Sequence, residues 1–262
     1  MWEWSAYGGT DRGLVRPTNQ DTFLVDNRHR LWAVADGMGG HAGGDFASRL
    51  AMDTLADLAP SLSHGASDQT VTADEDAVAL LTTMVQRAHR AVQRHAVQHP
   101  PLQGMGTTLV LAHLLPFPRP RLIVLNVGDS RAYLIREAAI RQVTQDHTLV
   151  EEQVRDGLLT PAQAACHPDR HVLTRAMGLG LAIDADVFHC ELRDRDLLLL
   201  CSDGLTKMLT DECILRTTLL HRHDPAGVTH ALIQAARDEG GIDNVTVVAC
   251  AVTGTTDPAN SH

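Results

Sequence analysis

The stretch LVLAHLLPFPRPRLIVLNVGDSRAYLIR, residues 109–136, decides how this chain folds. It holds three apolar runs, LVLAHLL, RLIVLNVG and RAYLIR, each short and bounded by Gly, Pro or polar residues, as β-strands are. PFPRP separates the first run from the second, and Asp129 and Ser130 separate the second from the third. Parallel strands need a crossover of a dozen or more residues, usually a helix, and neither connection can hold one. Consecutive strands should therefore pair antiparallel.

Working outward, LWAVAD (31–36), DLLLLCSD (196–203) and NVTVVACAV (244–252) have the same character, and helical patterns interleave with them. Phe46, Leu50, Leu55 and Leu58 recur near helical spacing after a glycine-rich loop. Val78, Leu81, Val85, Ala88 and Val92 do so between about Glu75 and His95. A third helix carries its own punctuation: Asp224 as N-cap, Pro225 at the first position, Val228, Leu232 and Ala235 on one face, and Gly240 past the end. It delivers the chain to Gly241, Ile242 and Asp243. The polar segment Pro60–Ala73 reads as a mobile loop, and Thr253–His262 as a frayed tail. Without a repeat or a tether-like linker, residues 1–252 are expected to form one α+β domain, with 253–262 as a tail.

Composition narrows the function. The chain has 262 residues, 44% of them hydrophobic, enough for one substantial core. A formal net charge of −10 with no block of Lys and Arg argues against nucleic acid or an anionic membrane as partner. The apolar runs are strand-sized, and MWEWSAYGGTDRG has neither the basic start nor the apolar centre of a signal peptide, so a cytoplasmic monomer is expected. Five cysteines without a CxxC pair suggest neither a zinc cage nor a disulfide framework. Cys201 and Cys250, inside apolar runs, read as small buried thiols. Most of the fifteen histidines are scattered and read as surface residues.

Four aspartates sit at the edges of apolar runs: Asp36, Asp129, Asp203 and Asp243. Strands place their end residues at a sheet rim, and two like charges at about 4 Å cost on the order of 4 kcal/mol even at an effective dielectric of about 20. A cation resolves that conflict, and oxygen-only ligands are what Mg²⁺ and Mn²⁺ prefer, which points to a multi-metal hydrolytic site. Taken singly each motif is weak. Asp36 also suits a turn or a helix cap, and Asp129-Ser130 and Asp203-Gly204 are ordinary turn chemistry. Gly37, Gly39 and Ala42 fit the G-x-G-x-x-A pattern of a dinucleotide site. Against that reading, Asp36 would face the pyrophosphate and antiparallel strands do not suit a doubly wound sheet. The glycines better serve a sharp turn that brings Asp36 and the Gly37 carbonyl to a metal. Arg16 suits bidentate phosphate binding or a solvated surface position. His41 suits proton donation to a leaving oxygen or a plain loop position.

RPTNQD, VADGMGGHAGG, GMGTTL, NVGDSRAY, TQDHTLV, GLLTPAQAACHPDRHVLTRAMG, LLCSDGL and GGIDNVTVV, in that order from about Gly9 to Val252, resemble the successive motifs of bacterial metal-dependent protein phosphatases of the PPM (PP2C-type) family. The resemblance implies an αββα sandwich of two antiparallel sheets, with a metal cleft at one edge. It implies that Asp36 bridges two Mn²⁺ or Mg²⁺ ions, that the Gly37 carbonyl binds one and that Asp203 and Asp243 complete the other. Asp129 would pair with Asp203 around a third, weaker site. Arg16 matches the phosphate-binding arginine and His41 a proposed general acid, while Asp21, Asp146 and Asn244 match outer groups that orient ligands or water. Gln20 departs from relatives that carry an acidic residue there, which shifts support onto Asp21. Residues 150–176 match a variable flap, in which His167, Arg170 and His171 would touch substrate. The implied reaction is hydrolysis of phosphoserine and phosphothreonine in proteins, with substrates of a Ser/Thr kinase and the kinase itself as partners. A phosphatase dedicated to one regulatory phosphoprotein, such as an anti-sigma-factor antagonist, is the alternative, and a partner-binding pseudophosphatase a more distant one.

Overall fold

The apolar runs are continuous rather than alternating because both faces of their strands are covered. A computed structural model of the protein describes residues 2–63, 72–116 and 119–254. Its strands are β1 (Trp2–Asp11), β2 (Asp21–Asp26), β3 (Leu31–Met38), β4 (Gly106–Thr107), β5 (Leu109–Leu115), β6 (Arg121–Val127), β7 (Arg131–Arg136), β8 (Ala139–Gln142), β9 (Asp186–Glu191), β10 (Leu197–Cys201) and β11 (Val245–Gly254). The helices are α1 (Gly40–Leu58), α2 (Thr72–Gln98), α3 (Leu149–Arg155), α4 (Pro161–Ala165), α5 (Asp203–Thr206), α6 (Asp211–Leu220) and α7 (Pro225–Asp238). One sheet runs β1-β11-β10-β7-β8 and the other β2-β3-β5-β6-β9, with β4 beside β3. Every strand pair within them is antiparallel.

Alternate side chains sort into three apolar layers, because successive Cβ atoms point to opposite faces. In β10, Leu198 and Leu200 join Trp32, Val34, Val110 and Val124 between the sheets, whereas Leu197 and Leu199 pack outward with Val228 and Leu232 of α7. In β3, Leu31, Ala33 and Ala35 pack outward against α1 and α2. The result is the expected αββα sandwich.

The structure corrects the reading of residues 109–136 at one joint. β5 and β6 pair as a hairpin, but β6 and β7 belong to different sheets, so the tight connection is a crossing between layers. Gly128 takes φ +103°, which bends the chain out of one sheet and into the other, and Asp129 is left between them. Short length excluded a parallel crossover, yet it does not distinguish a hairpin from a change of sheet.

Other differences are local. The buried face of α1 is Ala47, Ala51, Met52 and Leu55; Leu50 and Leu58 only pack partly against it, and Phe46 is exposed and stacks on His95. Small residues let α1 lie close on the sheet, so its core side has few bulky residues to reveal it. The capped helix is as read: the Asp224 carboxylate accepts from Ala226 N–H, Val228 and Leu232 are buried, and Gly240 has φ +121°, although Ala236 rather than Ala235 completes the face. Within the presumed loop 60–73, residues up to Ser63 form a 3₁₀ turn and α2 starts at Thr72; residues 64–71 lie outside the described residues, as do 255–262 of the tail. His89, His113 and His147 depart from the surface reading, being at most 3% exposed. Among the described residues no helix is long and apolar enough to cross a membrane.

Candidate active site

Both sheets deliver carboxylates to one rim. Asp21 opens β2 directly across from Asp36 in β3. Asp129 sits in the crossing between sheets, Asp203 follows β10 as the first residue of α5, and Asp243 precedes β11. The Asp36 backbone is held hard: its N–H donates to Thr108 Oγ1 at 3.0 Å, and its carbonyl accepts from Thr108 N–H and Thr107 Oγ1, each at 2.9 Å. Thr108 Oγ1 also meets Ser130 Oγ at 2.6 Å, which ties Asp36 to the Asp129 crossing. At Gly37 any Cβ would lie 2.1 Å from the Gly44 carbonyl oxygen, so only glycine lets α1 start against β3.

Asp21 lies beneath this cluster, where its Oδ2 accepts from Ser202 Oγ and Thr246 Oγ1, both at 2.7 Å. Asn244 stitches the segment carrying Arg16: its Oδ1 accepts from Gln20 N–H, and its Nδ2 donates to the Arg12 and Thr18 carbonyls, each at 2.9 Å. Asp146 is bound in a fork to Arg131 at 2.7–3.0 Å and accepts from Gln142 Nε2 at 3.0 Å, so it buttresses the Asp129 side. Arg16 does reach the site. Its Nε lies 2.7 Å from Asp243 Oδ1 and its second donor 2.9 Å from Oδ2.

Crowding of buried carboxylates shows in their proton affinities. Burial first, then the charges of Asp21, Asp203, Asp129 and Asp243, pushes Asp36 well above the usual carboxylate range. Burial, then Asp203 and Asp146, takes Asp129 to about 7. Burial takes Asp21 to about 6 against the opposing bonds from Thr246 and Ser202. Asp243 goes the other way: burial would raise it, but Arg16 and Lys207 together hold it below its ordinary value. The buried Oδ1 atoms of Asp21 and Asp203 have no hydrogen-bond partner. Orphaned, mutually repelling carboxylate oxygens are the donor set that hard divalent cations take, so the residues fit Mg²⁺ or Mn²⁺. Among the described residues no three acidic, His or Cys side chains already converge as a closed cage. Arg16 and Lys207 hold Asp243 and Asp203 instead.

A cleft of about 830 Å³ is lined by Arg16, Asp36, Gly37, Asp129, His171, Asp203, Asp243 and Asn244 among others. A neighbouring groove of about 430 Å³ shares Asp129, His171, Asp203 and Lys207 with it and runs along α3 and α4, where Arg170 also lines it. The segment expected as a flap is fastened at its base, with Leu149 N–H donating to the Val172 carbonyl and Thr174 N–H to that of His147. His171 thus faces both hollows. His167 lines neither; its Nδ1 accepts from Asp169 N–H within its own turn. His41 belongs to the first turn of α1, and its side chain lies outside the described residues.

Sequence reasoning missed Lys207, whose ammonium bridges Asp203 and Asp243, although its i, i+4 spacing from Asp203 was a usable signal. It also missed Thr108, Ser202 and Thr246. Thr246 lies inside an apolar run and Thr108 and Ser202 flank one, where such residues look like ordinary strand residues.

The family model described as Protein phosphatase 2C matches residues 15–236. The serine/threonine protein phosphatase PstP of Mycobacterium tuberculosis is 39% identical over 239 residues, which cover 91% of this chain and 43% of that protein; this chain therefore spans less than half of that relative's length. The serine/threonine phosphatase stp of Listeria innocua is 36% identical over 242 residues, covering 91% of this chain and 92% of that one. The crystal structure of the catalytic domain of PstP in complex with two manganese ions superposes with a TM-score of 0.81 at 36% identity, over 97% of this chain and all of that one.

Proposed function

The chain belongs to the protein phosphatase 2C family, and from that membership we propose that it is a metal-dependent phosphatase that hydrolyses phosphoserine and phosphothreonine in proteins. The observation that carries the reading is the gathering of Asp36, Asp129, Asp203 and Asp243 from two sheets at one cleft, with Asp21 buried beneath them and Arg16 in the lining. Asp36 and the Gly37 carbonyl, with Asp203 and Asp243, would hold two Mn²⁺ or Mg²⁺ ions, and Asp129 with Asp203 a third, weaker one. When bound there, divalent cations would supply an activated water for attack on phosphorus and would neutralise charge on the phosphoryl oxygens.

The chain's own groups do the rest. Arg16 turns its fork from Asp243 to two phosphate oxygens, binding the anion bidentately and orienting it. His41, which matches a proposed general acid of the family, would donate a ring proton to the departing alkoxide. Asp21, held by Ser202 and Thr246, lies opposite Asp36, Asp146 fixes Arg131 two residues beyond Asp129, and Asn244 fixes the Arg16 segment. His171 contacts the substrate where the two hollows meet. No cysteine takes part.

Phosphorylated proteins are the substrates, among them targets of a Ser/Thr kinase and the kinase itself, and the enzyme works as a cytoplasmic monomer. The full set of acidic residues speaks against a pseudophosphatase. The test is turnover of a phosphothreonine peptide by purified protein with Mn²⁺ and with chelator, beside Asp36→Asn and Asp203→Asn. Altering a group that only orients a ligand costs about 10–100-fold, so losses above about 100-fold are expected from the ligands themselves. Full activity in either variant overturns the metal assignment.

A further inference from the structure

Lys207 stands where the aspartates need a cation. It caps the C-terminal end of α5, its N–H donating to the Asp203 carbonyl at 2.8 Å, so its backbone is fixed one turn beyond that residue. Its stem is largely buried, and its Nζ lies 2.6 Å from Asp203 Oδ2 and 2.8 Å from Asp243 Oδ2. These are the two carboxylates assigned above to one cation. The ammonium draws on lone pairs that a metal bonded at about 2.0–2.2 Å would also need. Asp243 is doubly engaged, since Arg16 takes both of its oxygens.

We propose that Lys207 is an internal counter-ion that competes with divalent metal for Asp203 and Asp243, and so sets how tightly the chain holds its cations. The inference rests on the metal reading of the site. A divalent ion binding there displaces the ammonium from both oxygens and works against its charge. Removing that charge frees the lone pairs and deletes the repulsion, so metal affinity rises. The same removal leaves two neighbouring carboxylates without their bridging cation when metal is withheld, so stability in chelator falls. Coupling of this kind is reciprocal: whatever Lys207 contributes to the chelated fold it subtracts from metal binding.

Lys207→Met keeps the length of the stem and removes the charge, and Lys207→Gln keeps a donor without charge. Calorimetric titration with Mn²⁺ alone, and melting in EDTA and in saturating Mn²⁺, are read for both beside the wild type. Lys207→Met should bind Mn²⁺ at least about tenfold more tightly at one site, within the 5–150-fold span usual for coupled sites, and melt earlier in EDTA while keeping its melting point in Mn²⁺. Lys207→Gln should lie between, and carries the test if Lys207→Met does not fold without metal. Unchanged or weaker Mn²⁺ affinity in the variants overturns the inference and leaves the metal reading standing, including the case in which only the KM for phosphopeptide rises. Absence of Mn²⁺ binding by the wild type overturns both.

Discussion

Replacing Thr246 by valine tests whether Asp21 is held from beneath as the geometry requires. Thr246 is wholly buried, and its hydroxyl lies 2.7 Å from Asp21 Oδ2 and 2.7 Å from Thr10 Oγ1, which in turn accepts from Asn19 Nδ2 at 2.8 Å. An ionised carboxylate only accepts, so Thr246 must donate to Asp21 and Thr10 to Thr246. Valine keeps the shape and deletes the donor. A hydrogen bond to a charged group is worth about 1.5–3 kcal/mol, and the Thr10 hydroxyl, being exposed, can turn to water, so the net loss should be about 2 kcal/mol. At about 2–4 °C per kcal/mol for a chain of roughly this size, the melting point should fall by about 4–8 °C. Ser202→Ala should cost more, because Ser202 Oγ also accepts from Thr246 N–H at 3.0 Å, and that buried donor would be orphaned. Asp21 would then lie deeper in conflict with its surroundings, and Mn²⁺ affinity should weaken by about 10–100-fold. The assay is urea unfolding in chelator at pH 8, paired with Mn²⁺ calorimetry. A change of less than about 0.5 kcal/mol, the size of an ordinary surface substitution, together with unaltered Mn²⁺ affinity, would refute the reasoning.

Asp129→Asn should stabilise the chelated protein in a pH-dependent way. The folded-state value of Asp129, about 7, lies above its unfolded value of 3.8, so the wild type folds at no cost from this group below about pH 4, at rising cost up to about 7, and at constant cost above. The variant's advantage in EDTA should therefore grow from nothing to roughly 2–4 kcal/mol across that window, and an advantage that shrinks with rising pH contradicts the sign. Arg16→Ala should lower kcat/KM for a phosphopeptide by about 10–100-fold, the worth of charged hydrogen bonds, with stability changed by less than about 1 kcal/mol because the side chain is half exposed. Steady-state kinetics with an unchanged kcat/KM would remove it from phosphate binding.

Strands and their antiparallel pairing were legible because runs such as LLLLC and LIVLNV are short, apolar and tightly connected, whereas the layering into an αββα sandwich came from the family resemblance. Aspartates at the ends of those runs marked the rim, and the punctuation of α7 led directly to Asp243. The β6–β7 crossing was hidden, since a tight turn reads alike whether the chain stays in its sheet or leaves it. Five strands, β1, β2, β4, β8 and β9, were not singled out, and β4 is only two residues long. The first two mix polar and apolar residues, and β8 and β9 are short and largely uncovered. Thr108, Ser202 and Thr246 could not be told from residues chosen for strand propensity, because what distinguishes them is a partner far away in the chain. Lys207 was recoverable from helical spacing, whereas of the flap histidines His171 lines the cleft and His167 does not.

The first described strand pairs with the last. β1 runs antiparallel to β11 over its whole length, from Trp2 opposite Gly254 to Asp11 opposite Val245. During synthesis at about 5–20 residues per second, β1 must wait roughly 10–50 s before its partner exists. Asp243 emerges just ahead of that partner, so the rim of aspartates closes only when the sheet does. A growing chain therefore holds an incomplete set of carboxylates until Asp243 and β11 have been made.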